Sequence, residues 1–465
     1  MSKSGQPLLF ICALLLLGTN LLFPATAANQ KERKKSLGSE KKSSSSEKNR
    51  SEDPASAFEF TTDNSIKVAP GEFPMSGTSI PSMNDFDDEF CHLLKKWEIP
   101  GASIAIVNKG KLVFSRAYGY ADKGNKVKTQ PDSLFRICSV SKVISSAAIL
   151  KLVQDGKLTL ETKVFPILNL PIPADRSKKP DPRIFSITVR QLLEGTGGWD
   201  RRSLGDPMFN PLVVAAATEY STSLKPTTMS IIKYEFARKL DFSPGTRFCY
   251  SNFEYAVLGE LIHRITGQKY SDYVREKLMA PMGITRFYPG KTREPAEGEV
   301  AYYACQGEIL GPSVFPNLRG PLPLEYGGDF CLEAMTADCG WVGSTIDTAK
   351  FVSNVFGDSG PKLQPFSPAL VQQMVLRPNI PFWQNKEAYF ALGWEIENAN
   401  TKDKLVEKKE GCLPGSEALV THHSQDGTTI VVAYNSRPYA YPEFQDHSFA
   451  LVEKTWAAHK YLNNK

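Results

Sequence analysis

The sequence predicts an α/β chain of the segregated, α+β kind: one antiparallel sheet and a set of helices, packed in two lobes. Three observations predict it. β-rich runs pair into a hairpin early in the chain and into another near its end. Runs with helical periodicity fill the stretch between them. Roughly 380 residues follow Asp85, more than one hydrophobic core usually holds, which calls for two lobes.

The first 27 residues read as a secretory signal. Lys3 precedes an apolar run, Leu8–Leu17 and Leu21–Phe23, and Pro24-Ala-Thr-Ala27 supplies an A-x-A cleavage pattern. The run is broken by Gly18-Thr-Asn20 and is too short to span a bilayer comfortably, so no stable membrane anchor is expected after cleavage. Residues 28–84 read as a basic Ser/Lys-rich linker, with Ser43–Ser46 in a row; few large apolar side chains are present to fold it. Asn49-Arg-Ser51 is an N-glycosylation sequon within it. Residues 31–50 hold eight Lys/Arg and three Glu. Together with Lys3 they outweigh the +5 of the whole chain, so everything after Arg50 sums to −1. The chain after Arg50, which includes the folded region expected over residues 85–462, thus carries no net basic charge to suggest a nucleic-acid partner.

Ala102–Val107 and Leu112–Tyr118, around Asn108-Lys-Gly110, form the first hairpin. A helix is expected from Ser139 to the Gly156 stop, with apolar residues at Val140, Val143, Ile144, Ala147, Ala148 and Leu152. Three-residue spacing puts Ser139 and Lys142 side by side at its first turn. A serine hydroxyl needs an adjacent base to become a nucleophile, and a buried lysine that sheds its proton can be that base. The helix N-terminus adds donors where an oxyanion would form.

Thr188–Trp199 reads as a short helix ending in glycine-rich loop, and residues 200–246 as mixed helical segments. Pro244–Asn252 opens a helix over Phe253–Thr266, capped by Gly267 and followed by another near Asp272–Met279. Tyr250 and Asn252, two residues apart before that helix, can share one cleft. There a phenol can shuttle a proton, and an amide can orient a substrate or Lys142. Gly340–Asp347 is a glycine-rich turn entering a helix. Lys409–Gly415 precedes the closing hairpin, Glu417–His422 and Thr428–Tyr434, and a last helix around His447–Tyr461 is expected on the sheet face.

The order Ser139-x-x-Lys142, Tyr250-x-Asn252, Lys409-x-Gly411 resembles the serine β-lactamase-related family, in particular class C β-lactamases, D-alanyl-D-alanine carboxypeptidases and related esterases. The resemblance spans about residues 85–460 and includes the phrases "APMGIT", "GWVGSTIDTAKF" and "FALGW". It implies a β-lactamase/penicillin-binding-protein-like fold, an antiparallel sheet lobe flanked by helices against a mainly helical lobe, with the active site between the lobes. By the same resemblance Ser139 is the nucleophile, Lys142 its activator and Tyr250 the proton shuttle. Asn252 is a polar orienter and Lys409 the cation on an edge strand. The backbone N–H groups of Ser139 and Cys412, the latter following Gly411, form the oxyanion hole. Glu410 departs from the pattern, standing where β-lactam binders usually carry a small hydroxyl residue. Cys138, Cys249 and Cys412 each adjoin a motif, and Glu194–Gly197 departs from the family's usual His-Thr-Ser-Gly.

The implied activity is that of a secreted serine hydrolase forming an acyl-enzyme on ester or amide bonds of a small molecule or peptide. A Glu410 carboxylate facing the cleft would repel anions, so penicillins and cephalosporins are expected to be poor substrates and neutral or cationic esters better ones. The alternative is a catalytically idle relative used for binding or self-assembly. No cofactor is called for, and no C-x-x-C, H-E-x-x-H or similar spacing suggests a metal. A histidine-based hydrolase fits poorly, since none of the six His adjoins a motif; His422-His423 sits in the closing hairpin. Without Cys12 the chain has seven cysteines, of which Cys331 and Cys339 are nearest in sequence and could bridge in an oxidising compartment.

Overall fold

The computed structural model describes residues 73–458, apart from 306, 402–404 and 439–442. The signal, nearly all of the basic linker and the Asn49 sequon lie outside the described residues. We label the principal elements α1 (Asn84–Lys96), β1 (Gly101–Asn108), β2 (Lys111–Asp122), β3 (Phe135–Arg136), α2 (Ser141–Gln154), α3 (Asn252–Thr266), β4 (Trp341–Gly343), α4 (Thr345–Phe356), β5 (Glu395–Glu397), β6 (Val406–Leu413), β7 (Ser416–His423), β8 (Thr428–Tyr434) and α5 (Glu443–Ala458).

Both predicted hairpins form, and they join in one antiparallel sheet. Its order is Met75–Ser76, β2, β1, β8, β7, β6, β5, Tyr389–Phe390, with Val127–Lys128 alongside β2. The seam between the chain ends is β1 against β8, where Ile104 faces Val432 and Ile106 faces Ile430. These residues point to one face, and α1 and α5 cover it. Phe86 and Phe90 of α1 and Phe444 of α5 pack there with Phe114, Tyr118 and Tyr434. Apolar burial of this kind contributes about 1.5–3 kcal/mol per large side chain. α4 covers the other face across β1 and β8.

One buried polar cluster fixes α1 on β2. The Arg116 guanidinium spans both Asp87 carboxylate oxygens (3.3 and 2.9 Å), and the Tyr118 hydroxyl donates to Asp87 Oδ1 at 2.6 Å. The folded region also starts earlier than Asp85. Met75 and Ser76 pair with β2, and Met83 is fully buried in the core, so the end of the expected linker belongs to the fold.

The helical lobe is centred on α2, which is almost entirely buried and packs against α3. α2 starts two residues later than expected: Cys138–Val140 is a 3-10 turn leading into it. The last helix likewise begins at Glu443 rather than near His447. Among the described residues no helix is long and apolar enough to cross a membrane, and no group of His, Cys, Asp or Glu is placed to hold a metal ion.

Candidate active site

Ser139 is presented by a sharp turn at the end of β3. β3 pairs with β4, and the Ile137 N–H donates to the Trp341 carbonyl at 3.0 Å. Cys138 then takes φ +50°, a left-handed conformation that is costly for a side-chain-bearing residue and reverses the chain into α2. The Cys138 thiol is held off the site, 3.2 Å from Ser416 Oγ, and burial pushes its pKa up to about 12.

Lys142 lies one helical turn on and is completely buried. Its Nζ is within hydrogen-bond distance of Ser139 Oγ (3.2 Å), Asn252 Oδ1 (2.6 Å) and the Asp338 carbonyl (3.0 Å). Asn252 is the first residue of α3, which Ser251 caps by accepting from the Glu254 N–H. The loop before that helix brings in Tyr250. Its ring centroid lies 5.0 Å from Lys142 Nζ and 4.9 Å from Lys409 Nζ, so the two lysines flank the phenol.

β6 closes the site from the sheet side, and only Gly411 permits the approach. A Cβ there would lie 2.6 Å from the Ser139 nitrogen and 2.6 Å from the Ile137 carbonyl oxygen. The strand also decides which motif residues reach the cleft. Successive side chains alternate between faces. Lys409 points to the Tyr250 face, where it donates to Glu395 Oε1 at 2.8 Å and lies 5.2 Å from the Phe390 ring.

Glu410 therefore points away. It pairs with Lys408 Nζ at 2.5 Å, and Lys408 in turn lies 4.1 Å from the ring of Phe449 on α5. Glu410 is not in the cleft, and the repulsion expected of it there does not arise. Parity places Cys412 on the same far face as Glu410, half-buried, so only its backbone can serve the site. Cys249 is turned toward Asp200, with Sγ 3.3 Å from Oδ1. Glu194, in the cleft-wall phrase, is 3.7 Å from Arg190, and burial pushes its carboxyl up to about 7.

Several neighbours escape the motif reading. Cys339 is buried with Sγ 3.2 Å from Ser139 Oγ and 3.7 Å from Lys142 Nζ. Burial raises its thiol well above the usual range, so it stays protonated. Cys331 is elsewhere, near Glu333, and both thiols are free: the bridge that sequence proximity allowed is not made. Asp338 is fully buried, and burial pushes its carboxyl up to about 8 against the pull of Lys142. Asp206 accepts from Asn252 Nδ2 at 2.8 Å, and the Arg201 guanidinium lies 4.9 Å from the Tyr250 ring. The Gly340 turn singled out in the sequence was the available signal for Asp338 and Cys339, which directly precede it. Asp206, Arg201 and Glu395 carry no local signal, because the fold brings them in from separate loops and strands.

Chemically, the arrangement is a hydroxyl beside a buried amine, with a phenol between two cations and a glycine-lined gap at the nucleophile's backbone. A family model described as Beta-lactamase matches residues 86–447. The chain is 31% identical over 226 residues to Protein flp of Staphylococcus aureus (strain N315), a match covering 49% of this chain and 42% of that protein. The chain thus spans less than half the length of the curated relatives it matches. Among solved structures, the octameric penicillin-binding protein homologue from Pyrococcus abyssi superposes with a TM-score of 0.59 at 21% identity, over 80% of this chain and 77% of that one. D-amino acid amidase from Ochrobactrum anthropi SV3, complexed with L-phenylalanine amide, gives 0.58 at 20% identity, over 79% and 98%. These likenesses establish a common fold, and with the family match over most of its folded region the chain belongs to the Beta-lactamase family.

Proposed function

We propose that this protein is a serine hydrolase that cleaves ester or amide bonds through an acyl-enzyme on Ser139. The observation that carries the reading is the set of partners around Lys142. A neutral lysine amine has two N–H bonds and one lone pair. Asn252 Oδ1 and the Asp338 carbonyl are acceptors for the two N–H bonds, at 2.6 and 3.0 Å. The lone pair is then left for the third neighbour, Ser139 Oγ at 3.2 Å. Lys142 takes the hydroxyl proton as Oγ attacks the substrate carbonyl. The oxyanion is stabilised by backbone N–H groups of Ser139 and Cys412, which Gly411 allows to approach. Tyr250 passes a proton to the leaving group, the cations around its ring favouring the negative charge that develops on its oxygen. Water then cleaves the acyl-enzyme by the reverse proton path.

The substrate preference rests on Glu395 rather than Glu410. Lys409 is the cleft cation on which a β-lactam carboxylate would depend, and it is already paired with Glu395. An anionic substrate must displace that partner, so neutral or cationic esters and amides are the favoured class and β-lactams poor ones. Export from the cytosol is part of the proposal, supported by the Lys3, apolar-run and A-x-A layout. N-terminal sequencing of the exported protein should begin near Ala28; a mature protein that keeps Met1 would contradict this.

The test is intact-mass analysis after incubation with a panel of esters, D-amino-acid amides and β-lactams. One acyl adduct that turns over with esters or amides supports the reading. A binding or self-assembling relative without catalysis would give no adduct with any of them.

A further inference from the structure

We propose that Asp206 is a positioning residue that fixes the Asn252 side chain in the one orientation able to serve Lys142; the inference rests on the Ser139–Lys142 reading above. An asparagine amide can turn over and exchange its oxygen and nitrogen ends. At Asn252 one end meets Lys142, which donates, and the other meets Asp206, whose carboxylate can only accept. Lys142 Nζ to Oδ1 is 2.6 Å and Nδ2 to Asp206 Oδ2 is 2.8 Å. The reversed amide would set its NH2 against the lysine and its oxygen against a carboxylate, losing both bonds.

Asp206 is itself anchored. Its other oxygen, Oδ1, accepts from the Met208 N–H at 3.1 Å, which leaves Oδ2 for Asn252. The loop carrying it is tied down through Asn210, whose N–H donates to the Asp329 carbonyl at 2.8 Å and whose Nδ2 donates to the Pro312 carbonyl at 2.7 Å. Arg201 Nη1 lies 4.0 Å from Asp206 Oδ2 while its guanidinium rests against Tyr250, so the same carboxylate stands behind both proton-handling groups. With Asp206 in place, Oδ1 always accepts from Lys142, and the lysine lone pair stays directed at Ser139. Without an acceptor at position 206 one of the two contacts that fix the amide is lost, and the contact with Lys142 alone is left to orient it.

The experiment compares Asp206→Leu, which removes the acceptor at similar volume, with Asp206→Asn, which keeps one, each alone and combined with Asn252→Ala. Turnover of the best ester found for the wild type is measured, with Ser139→Ala alongside. Asp206→Leu is expected to lower kcat by about 10- to 100-fold, the usual scale for a misplaced catalytic group, with KM changed by less than about 3-fold. Asp206→Asn should retain at least about a third of kcat, because its carbonyl still accepts from Asn252. Added to Asn252→Ala, Asp206→Leu should cost nothing more, since residues acting as a unit are not additive. Full activity in Asp206→Leu, or an undiminished loss in the Asn252→Ala background, overturns the proposal. Should Asp206→Leu not fold, the exchange Asp206→Asn with Asn252→Asp decides. It restores a donor facing an acceptor, and must be more active than Asn252→Asp alone; equal or lower activity overturns the proposal. Ser139→Ala separates the two levels. If it stays active the hydrolase reading fails, whereas an inactive Ser139→Ala beside a fully active Asp206→Leu removes only the role of Asp206.

Discussion

Lys142 and Lys409 are both buried and both lie about 5 Å from the ring of Tyr250, yet their surroundings differ in kind. Lys142 Nζ contacts a hydroxyl, an amide oxygen and a backbone carbonyl, all formally neutral. The adjacent carboxyl, Asp338, is pushed up to about 8 by burial and is therefore largely protonated at neutral pH. Asp206 stands one residue further off, behind Asn252. Lys409 donates directly to the carboxylate of Glu395. Lys142 is thus in hydrogen-bond contact with the proposed nucleophile, whereas Lys409 is ion-paired with a carboxylate. In the proposed mechanism the first lysine transfers the proton and the second supplies fixed charge.

The largest effects should follow removal of the proton-transfer side. Ser139→Ala and Lys142→Ala should each cut turnover by about 10⁴-fold or more, and the double variant should be little worse than either. Tyr250→Phe should cost about 10²–10⁴-fold. Lys409→Ala should cost less and should act mainly through KM; equal losses in kcat from the two lysines would dissolve the distinction between them.

Next comes Gly411→Ala. The added methyl meets the Ser139 nitrogen and the Ile137 carbonyl, both backbone atoms that cannot swing aside. Turnover should fall by about 10²–10³-fold, comparable to loss of an oxyanion donor, while the sheet stays intact by circular dichroism. Near wild-type rates would mean that β6 does not shape the oxyanion site.

A smaller, directional change sharpens the fixed-charge side. Glu395→Gln should shift the ratio of anionic to neutral substrate turnover by about tenfold toward anions, equivalent to about 1.4 kcal/mol. Glu410→Thr should leave that ratio unchanged, because its side chain is on the opposite face of β6. The reverse pattern would put Glu410 back in the cleft.

The smallest expected effect concerns stability. Asp338 (about 8), Glu235 (about 7) and Glu407 (about 7) are all raised chiefly by burial. In the folded state each keeps a proton that the unfolded chain releases near pH 4. The stability they contribute is fully present below that pH and fades as pH rises through 7 to 8. Tm should drop by several degrees between pH 5 and pH 8, and Asp338→Asn should flatten that slope. A Tm that climbs across this range would contradict the assignment.

Much of this was legible before the structure. The β-rich runs Ala102–Val107 and Thr428–Tyr434, each beside a short Gly-containing turn, mark the two central strands, which are buried along their whole length. The three-residue spacing of Ser139 and Lys142 needs only helical geometry. Glu410 shows where local reading stops. Its distance from the site follows from strand parity, but which parity faces the cleft depends on how β6 packs against the Ser139 turn. Asp206, Glu395 and Cys339 are separated from Ser139 by 67 to 256 residues of chain and reach the site only through tertiary packing. A carboxylate or thiol in a loop has no periodicity to announce it.

The division of labour between the lysines is tested most directly by labelling with a fluorophosphonate and locating the adduct by peptide mass spectrometry in the wild type, Ser139→Ala, Lys142→Ala and Lys409→Ala. A single adduct on Ser139 is predicted for the wild type, retained in Lys409→Ala within about tenfold of the wild-type rate, slowed at least about 10²-fold in Lys142→Ala, and absent in Ser139→Ala. An adduct that persists in Ser139→Ala, or that forms equally fast without Lys142, would contradict it.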